Sequence, residues 1–393
     1  MGRSFCPLCP GLEPEAWRST AGVMAIPAPL PPSESDLSGH RRIAIVVALA
    51  LAAGFVWGVL RLSQLRFAPS EWAPSTWVDG QAGKQANKAL GTLPGQTWVD
   101  RASAALRFRF FGDLGPQVLE GCPGWLFYRD GLRPAPGSSG AFAQRAELMR
   151  HWAAQWKKTG IHLLVLTVPD KSRVQAAQLC GLRVAAPLPG RLDEWQHALA
   201  GAEVPFVDLR SALGAVPQAF YRTDVHMTQE GADAAADISA KAALPILGGK
   251  GTQKFTSSSG AEAVPRMGDL IVLAGLEHAP KGWRPELEQV VPEHIEPVRS
   301  GGLLDEGTSA QVILLGDSNG LRSEFAERLG RQLGGEVWNL SQDGGYFSGA
   351  MLAALDRQRT LPHSLKLVVW QFSELSLSLP LTPAEQRALD AIR

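Results

Sequence analysis

The chain carries no formal net charge: 38 Lys and Arg balance 38 Asp and Glu over 393 residues. That balance excludes a global basic field, and with it the electrostatic footprint of a nucleic-acid binder. Cysteine is scarce, with four in all. Cys6 and Cys9 form a CxxC, but structural zinc takes four ligands and no second pair lies nearby. Met24, an alternative start, would remove both. His151, His197, His278, His294 and His363 lack metal-like spacing, and His162, inside an apolar strand, is expected to be a core residue. No metal and no other cofactor is therefore expected. Cys122 and Cys180 remain as a candidate pair. An extracytoplasmic compartment permits that disulfide, although sequence fixes no distance between them.

With 45% hydrophobic and 19% charged residues, the chain can bury a large core in one big domain or two. Ile43 to Leu60 is an almost unbroken apolar run preceded by Arg41 and Arg42. At about 1.5 Å per residue a helix of this length crosses roughly 27 Å of hydrocarbon. A cleaved signal peptide is the alternative. The run exceeds a usual signal core, and no A-x-A site follows before Arg61 and Arg66, so an uncleaved anchor over residues 42–62 is expected. Arg41 and Arg42 put its amino-terminal side in the cytoplasm and the remainder outside the inner membrane. Residues 1–41, rich in Pro, Ser and Gly, are expected to be disordered, residues 63–115 read as a stalk, and residues 116–385 form the main domain.

Within that domain, strand-like and helix-like segments alternate from 143 to 375, which gives an α/β fold: a three-layer sandwich with a mostly parallel sheet. Val312-Ile313-Leu314-Leu315 reads as a buried strand ending in a sharp turn at Gly316, with Ser318 on the turn and a helix from Leu321 to Leu333. In open α/β sheets ligands bind beyond the carboxyl ends of the strands, and helix N-termini carry positive partial charge. A serine there is placed to attack, or merely caps a helix. A second stretch, Asp224-Val225-His226, supplies what a serine nucleophile needs: an imidazole base and a carboxylate to orient it. Ile161 to Val168 is another buried strand, ended by Pro169, that delivers Asp170 and Lys171 to the same sheet edge. Lys171 is a candidate substrate contact or an ordinary solvated lysine. After a strand near Val337, the loop Gly344-Gly345-Tyr346 lets backbone N–H groups approach a ligand closely. Residues 248–263 read as a surface loop, and no role follows from physics for 264–308.

Gly-Asp-Ser at 316–318, Asn339 to Gly344 and Asp224-x-His226 together resemble the SGNH hydrolase-like superfamily. In ordinary esterases of that group the serine comes first. The order here is similar to the circularly permuted arrangement of the alginate O-acetyltransferase family of AlgJ/AlgX type, as are Gly-Trp-Leu-Phe-Tyr at 124–128, Pro169-x-Lys171 and Trp370 with Glu374. The resemblance implies an SGNH-like O-acetyltransferase domain with Ser318, His226 and Asp224 as catalytic residues. It implies an oxyanion hole from the N–H groups of Ser318 and Gly344, and substrate contacts among Lys171, Asn339, Gly345 and Tyr346. The implied partners are an exported polysaccharide acceptor and a multi-span membrane O-acyltransferase as acetyl donor. The implied location is the periplasmic side of the inner membrane. A carbohydrate acetyl-esterase with the same triad and a non-catalytic secretion scaffold are the rivals. The chain ends soon after its last strand, so an appended carbohydrate-binding module is not expected. Asn319-Gly320 and Met227 depart from the family's usual residues, and no Asn closes the last strand to act as a third oxyanion donor.

Overall fold

A computed structural model describes residues 34–64, 83–84, 87, 90–91, 95–298 and 310–393. Two compact units divide the chain, Met1–Gln96 and Thr97–Arg393. In the first, helix α1 spans Glu34–Ser63. Its stretch His40–Ser63 is the one helix among the described residues long and apolar enough to cross a membrane, and no part of it is buried. The helix therefore begins before residue 42 and includes 34–41, expected to be unstructured. Pro32 is the last of a proline-rich stretch, so the backbone donors that a helix needs are uninterrupted beyond it. The expectations for Cys6, Cys9 and Met24 lie outside the described residues.

The second unit starts with α2 (Gln96–Phe111), which the sequence reading left in the stalk. Ala104 on α2 and Leu114 just after it are buried in one cluster with Val118, Leu126, Leu270 and Ile271, so this unit reaches back well before residue 116. There follow the hairpin β1 (Val118–Glu120) and β2 (Leu126–Tyr128), α3 (Ala141–Lys158), β3 (His162–Val168), α4 (Arg191–Gly201), β4 (Phe206–Asp208) and α5 (Gln229–Leu247). Four short strands come next: β5 (Phe255–Ser259), β6 (Val264–Arg266), β7 (Glu288–Val290) and β8 (Glu293–Pro297). The chain closes with β9 (Val312–Leu315), α6 (Phe325–Leu333), β10 (Val337–Asn339), α7 (Gly349–Asp356), β11 (Leu367–Ser373) and α8 (Pro383–Ile392).

The main sheet has the order β10-β9-β11-β3-β4, and every pairing in it is parallel. Strand β3 leads outward to β4 and β9 leads outward to β10, while β11 returns between them. The loops leaving β9 and β3 therefore diverge on either side of β11, opening a crevice at the carboxyl ends of these strands. Both faces of the sheet are covered, which explains the near-continuous apolar runs of β9 and β11. On one face Trp152 and Trp156 of α3 and Trp195 of α4 pack against Phe347, Trp370 and Phe372. The Phe347 ring lies 4.9 Å from Trp370 and 5.0 Å from Phe372, close enough for edge-on aromatic contacts. On the other face the alanines of α5, among them Ala232, Ala236 and Ala243, let that helix lie close to Leu164, Leu166 and Leu367.

Three expectations change. His162 is exposed at the amino end of β3, because burial of that strand begins one residue later, at Leu163. Residues 255–259, expected in a loop, pair with β8 as β5. The helix after Ser318 starts only at Phe325, since Ser323 and Glu324 both adopt positive φ and break it from the single 3-10 turn Ser318–Gly320.

Cys122 and Cys180 form a disulfide, their Cα atoms 4.8 Å apart across 58 residues of sequence. Closing a loop of that length removes up to about 4 kcal/mol of unfolded-chain entropy. We expect Cys122→Ser with Cys180→Ser to lose about 2–4 kcal/mol in urea unfolding. Reductant should destabilise the parent protein and leave the double variant unchanged.

Candidate active site

The turn after β9 is fixed by a buried carboxylate. Asp317 accepts from Gln371 Nε2 (2.9 Å), from the N–H of Asn319 (2.9 Å) and from the N–H of Ser373 (2.7 Å), which locks the turn to β11. Burial pushes its carboxyl up, while the Gln371, Asn319 and Ser373 hydrogen bonds oppose that rise. Gly316 and Gly320 pack so closely on Ser341 and Gln371 that a Cβ at either would collide with them. Ser318 is thereby presented, half-buried, at the carboxyl end of the sheet.

The loop between β4 and α5 brings the partners. His226 Nε2 lies 2.8 Å from Ser318 Oγ, and His226 Nδ1 lies 2.7 Å from Asp224 Oδ1. This network assigns the proton to Nδ1, donating to Asp224, and leaves Nε2 to accept from the serine hydroxyl. Both Asp224 and His226 are buried. Burial alone would raise the Asp224 carboxyl, but the hydrogen bond and charge of His226, with the Arg266 guanidinium 2.5 Å away, hold it well below the usual carboxylate range.

The segment 264–298, to which sequence gave no role, clasps this loop from outside. Arg266 on β6 bonds Asp224 and stacks over the Tyr221 ring, 3.9 Å from its centroid. Buried Glu288 on β7 accepts from the N–H groups of Arg222 (2.8 Å) and Thr223 (3.0 Å) and from the Thr223 hydroxyl (2.9 Å). Asp269 places a second carboxylate 3.3 Å from His226 Nδ1 while remaining half exposed. Burial, then the nearby Asp224 charge, pushes the Asp269 carboxyl up. No role for Arg266, Asp269 or Glu288 was legible along the chain.

Asp224, His226 and Asp269 also bring three ligating atoms within 4.8 Å of one another. The set fits a metal ion poorly: the guanidinium on Asp224 would repel a dication, and an ion on Nδ1 would displace the proton that Asp224 accepts.

The remaining candidates separate into cavity-lining and internal groups. A cavity of about 280 Å³ above the turn is lined by Ser318, His226, Gly344 and Tyr346 among others. Gly344 has φ +67°, which favours glycine, and Tyr346, also at positive φ, is 48% exposed. Gly345 is not among the lining residues, and its N–H donates to Gln342 O. Asn339 does not face substrate: its Nδ2 donates to Gly320 O (2.8 Å) and its Oδ1 accepts from Ser341 N (3.0 Å), tying the serine turn to the glycine loop. Lys171 also turns inward. Its Nζ donates to the carbonyls of Leu126 (2.6 Å), Arg222 (2.8 Å) and Asp224 (2.9 Å), which engages all three N–H groups inside the fold. Burial pulls Lys171 down to about 7 against the opposing charges of Asp224, Glu288 and Asp170. Glu374 pairs with Arg173 at 2.5 Å, and Trp370 is buried with its Nε1 on Phe347 O, so both support the scaffold.

A family model for the SGNH hydrolase-like domain of the acetyltransferase AlgX matches residues 118–374. The chain belongs to this family. It is 29% identical to the probable alginate O-acetylase AlgJ of Pseudomonas putida over 304 residues, covering 74% of this chain and 76% of that protein. Against AlgJ of Pseudomonas aeruginosa the identity is 27% over 295 residues, covering 70% and 74%. The O-acetyltransferase domain of Pseudomonas putida AlgJ superposes with TM-score 0.59 at 25% identity, covering 71% of this chain and all of that domain. AlgX of Pseudomonas aeruginosa shares the fold, with TM-score 0.52 at 20% identity over 70% of this chain and 65% of that one.

Two outcomes follow from this geometry. Lys171→Met leaves three carbonyls without a donor, so we expect stability and turnover to fall together, by about 3 kcal/mol and tenfold or more, at unchanged KM. A substrate ligand would instead raise KM at constant stability. Because Asp224 titrates lower in the folded chain than unfolded, it stabilises the fold above about pH 4 and that stabilisation is lost as pH falls through the folded value. Arg266→Met should therefore move the acid limb of stability, followed by urea unfolding from about pH 3 to 7, to higher pH.

Proposed function

We propose that this chain is a membrane-anchored O-acetyltransferase that passes acetyl groups through an acetyl-serine at Ser318 to hydroxyls of an exported polysaccharide. The observation that carries the reading is the line Ser318 Oγ, His226, Asp224, with successive separations of 2.8 and 2.7 Å. His226 Nε2 takes the hydroxyl proton as Ser318 Oγ adds to the acetyl carbonyl of the donor, and returns it to the leaving group as the donor bond breaks. Asp224 keeps the imidazole in the required tautomer and stabilises the transient imidazolium. The N–H groups of Ser318 and Gly344 are assigned to the tetrahedral oxyanion. In the second half, His226 deprotonates a sugar hydroxyl, which attacks the acetyl-serine and regenerates the free Ser318 hydroxyl.

Relatives named alginate O-acetylases support an exopolysaccharide as acceptor. Helix α1 is assigned as the anchor in the inner membrane, with the catalytic unit in the periplasm; Arg41 and Arg42 at its amino-terminal side and the Cys122–Cys180 disulfide support that side. With one candidate span among the described residues, the chain is assigned the acceptor side of a relay whose donor step belongs to a multi-span membrane acyltransferase.

Incubation with a chromogenic acetyl ester should leave a single acetyl group on Ser318, read by mass spectrometry and moved to sugar when oligosaccharide is added. Ser318→Ala should abolish the adduct, and His226→Ala should slow its formation by roughly 10³-fold or more. Acetate release indifferent to sugar would identify an esterase, and no adduct from several donors would identify a scaffold.

A further inference from the structure

The cavity around Ser318 is lined by more carboxylates than ammonium or guanidinium groups. Among the described residues, its lining contains no arginine and a single lysine, Lys171, whose ammonium is fully engaged with backbone carbonyls. The two arginines whose charges act on Asp269 are compensated too. Arg266 holds Asp224, and Arg322 pairs with Asp343 at 3.0 Å. Three aspartates do line the cavity. Asp317 is saturated by three donors and Asp170 caps the turn after β3. Asp269 alone among them keeps an open carboxylate, half exposed and 3.3 Å from Nδ1 of the imidazole whose Nε2 must meet the acceptor hydroxyl. Much of the remaining wall is apolar, including Phe127, Phe220, Leu270 and Leu273, with Tyr346 at the rim.

A sugar carboxylate entering this space would lose water, meet no unpaired cation among the described lining residues and share the cavity with the Asp269 carboxylate, each of which is unfavourable. An uncharged sugar meets none of those costs. Its hydroxyls can donate to Asp269, and its ring can lie against the Tyr346 face. We propose that the acceptor is a glycan uncharged at the sugar that enters the cleft, with Asp269 accepting from its hydroxyls and discriminating against polyuronates. This assignment rests on the transferase reading above and sharpens it, because the relatives it resembles are named for alginate, a polyuronate.

The test uses matched pairs that differ only in oxidation at C6: β-1,4-linked tetramers of mannose against mannuronate, and of glucose against glucuronate. Binding to the full chain with Ser318→Ala, held in lipid nanodiscs, is followed by calorimetry, so that recognition is read without chemistry. The parent protein, loaded with acetyl from a chromogenic ester, is then offered each tetramer. The expected result is that at least one neutral tetramer binds and is acetylated roughly tenfold or more better than its uronate partner. Raised salt should narrow that difference, and Asp269→Asn should shrink the ratio. Equal or preferred use of a uronate, absence of binding by every tetramer, or a ratio untouched by Asp269→Asn would overturn the assignment. The transferase reading fails separately: absence of an acetyl group on Ser318 in the parent protein would remove it, whatever the binding arm reports.

Discussion

The Lys171 ammonium, closed in at the carboxyl end of β3, holds the carbonyls of Leu126, Arg222 and Asp224 within 2.6 to 2.9 Å and lies 5.0 Å from the Phe127 ring centroid. A buried ammonium is tolerated only when every N–H finds an acceptor, because desolvation costs several kcal/mol per ion. The three acceptors come from the β2 hairpin and from two points on the loop that carries Asp224 and His226. One charge from the sheet thus fixes the hairpin and the loop in a single geometry. Moving the loop would strand the charge, and that penalty keeps His226 near the serine turn.

Around this tie the site divides its tasks between two kinds of support. The parallel sheet presents the serine turn, with Asp317 bonding back to Gln371 and Ser373 of β11 so that the turn cannot drift from its neighbour strand. The small paired strands β6 and β7 contribute no sheet core but supply Arg266 and Glu288, which hold the histidine loop from its other side. Each carboxylate in the arrangement has its own environment. Asp224 sits beside an imidazole and a guanidinium and stays ionised, Asp317 is surrounded by neutral donors, and Asp269 is left partly open to the cleft. Burial pushes the Asp317 and Asp269 carboxyls up, whereas at Asp224 the His226 hydrogen bond and charge, joined by the Arg266 guanidinium, outweigh burial and pull the carboxyl down.

Such an arrangement suits a reaction run in two halves on one serine. In the proposed transfer a sugar hydroxyl must compete with water as the second nucleophile, and the apolar part of the cavity wall, Phe127, Phe220, Leu270 and Leu273, favours the sugar by offering water no partners. In the proposed reaction the acylation step depends on the triad and the oxyanion N–H groups, whereas acceptor choice depends on what surrounds them. Members of one family can then keep the same acylation step while differing in the sugar they accept.

Much of the fold could be read from residue patterns. The runs at 162–168, 312–315 and 367–373 announce buried parallel strands because aliphatic residues fill both faces, and the helices at 141–158 and 229–247 announce themselves by apolar spacing. Ser318, His226 and Asp224 could be singled out because a serine nucleophile requires those partners in kind. Other features were invisible along the chain. A short, polar, exposed stretch carries no apolar alternation to separate strand from loop, as at β5, and positive φ at Ser323 and Glu324 overrides the helical spacing that begins at Leu321. Lys171 and Asn339 read as substrate contacts because composition cannot say which way a side chain turns; packing sent both inward, to carbonyls that lacked donors. By itself, then, the sequence determined the layers of the fold, the apolar helix and the chemical types at the site. Tertiary structure alone decided which carboxylate meets the imidazole, which cations are paired and which carboxylate stays open to the cavity, because those depend on distances of a few ångströms between segments far apart in the chain, and electrostatic and hydrogen-bond energies are set by distance.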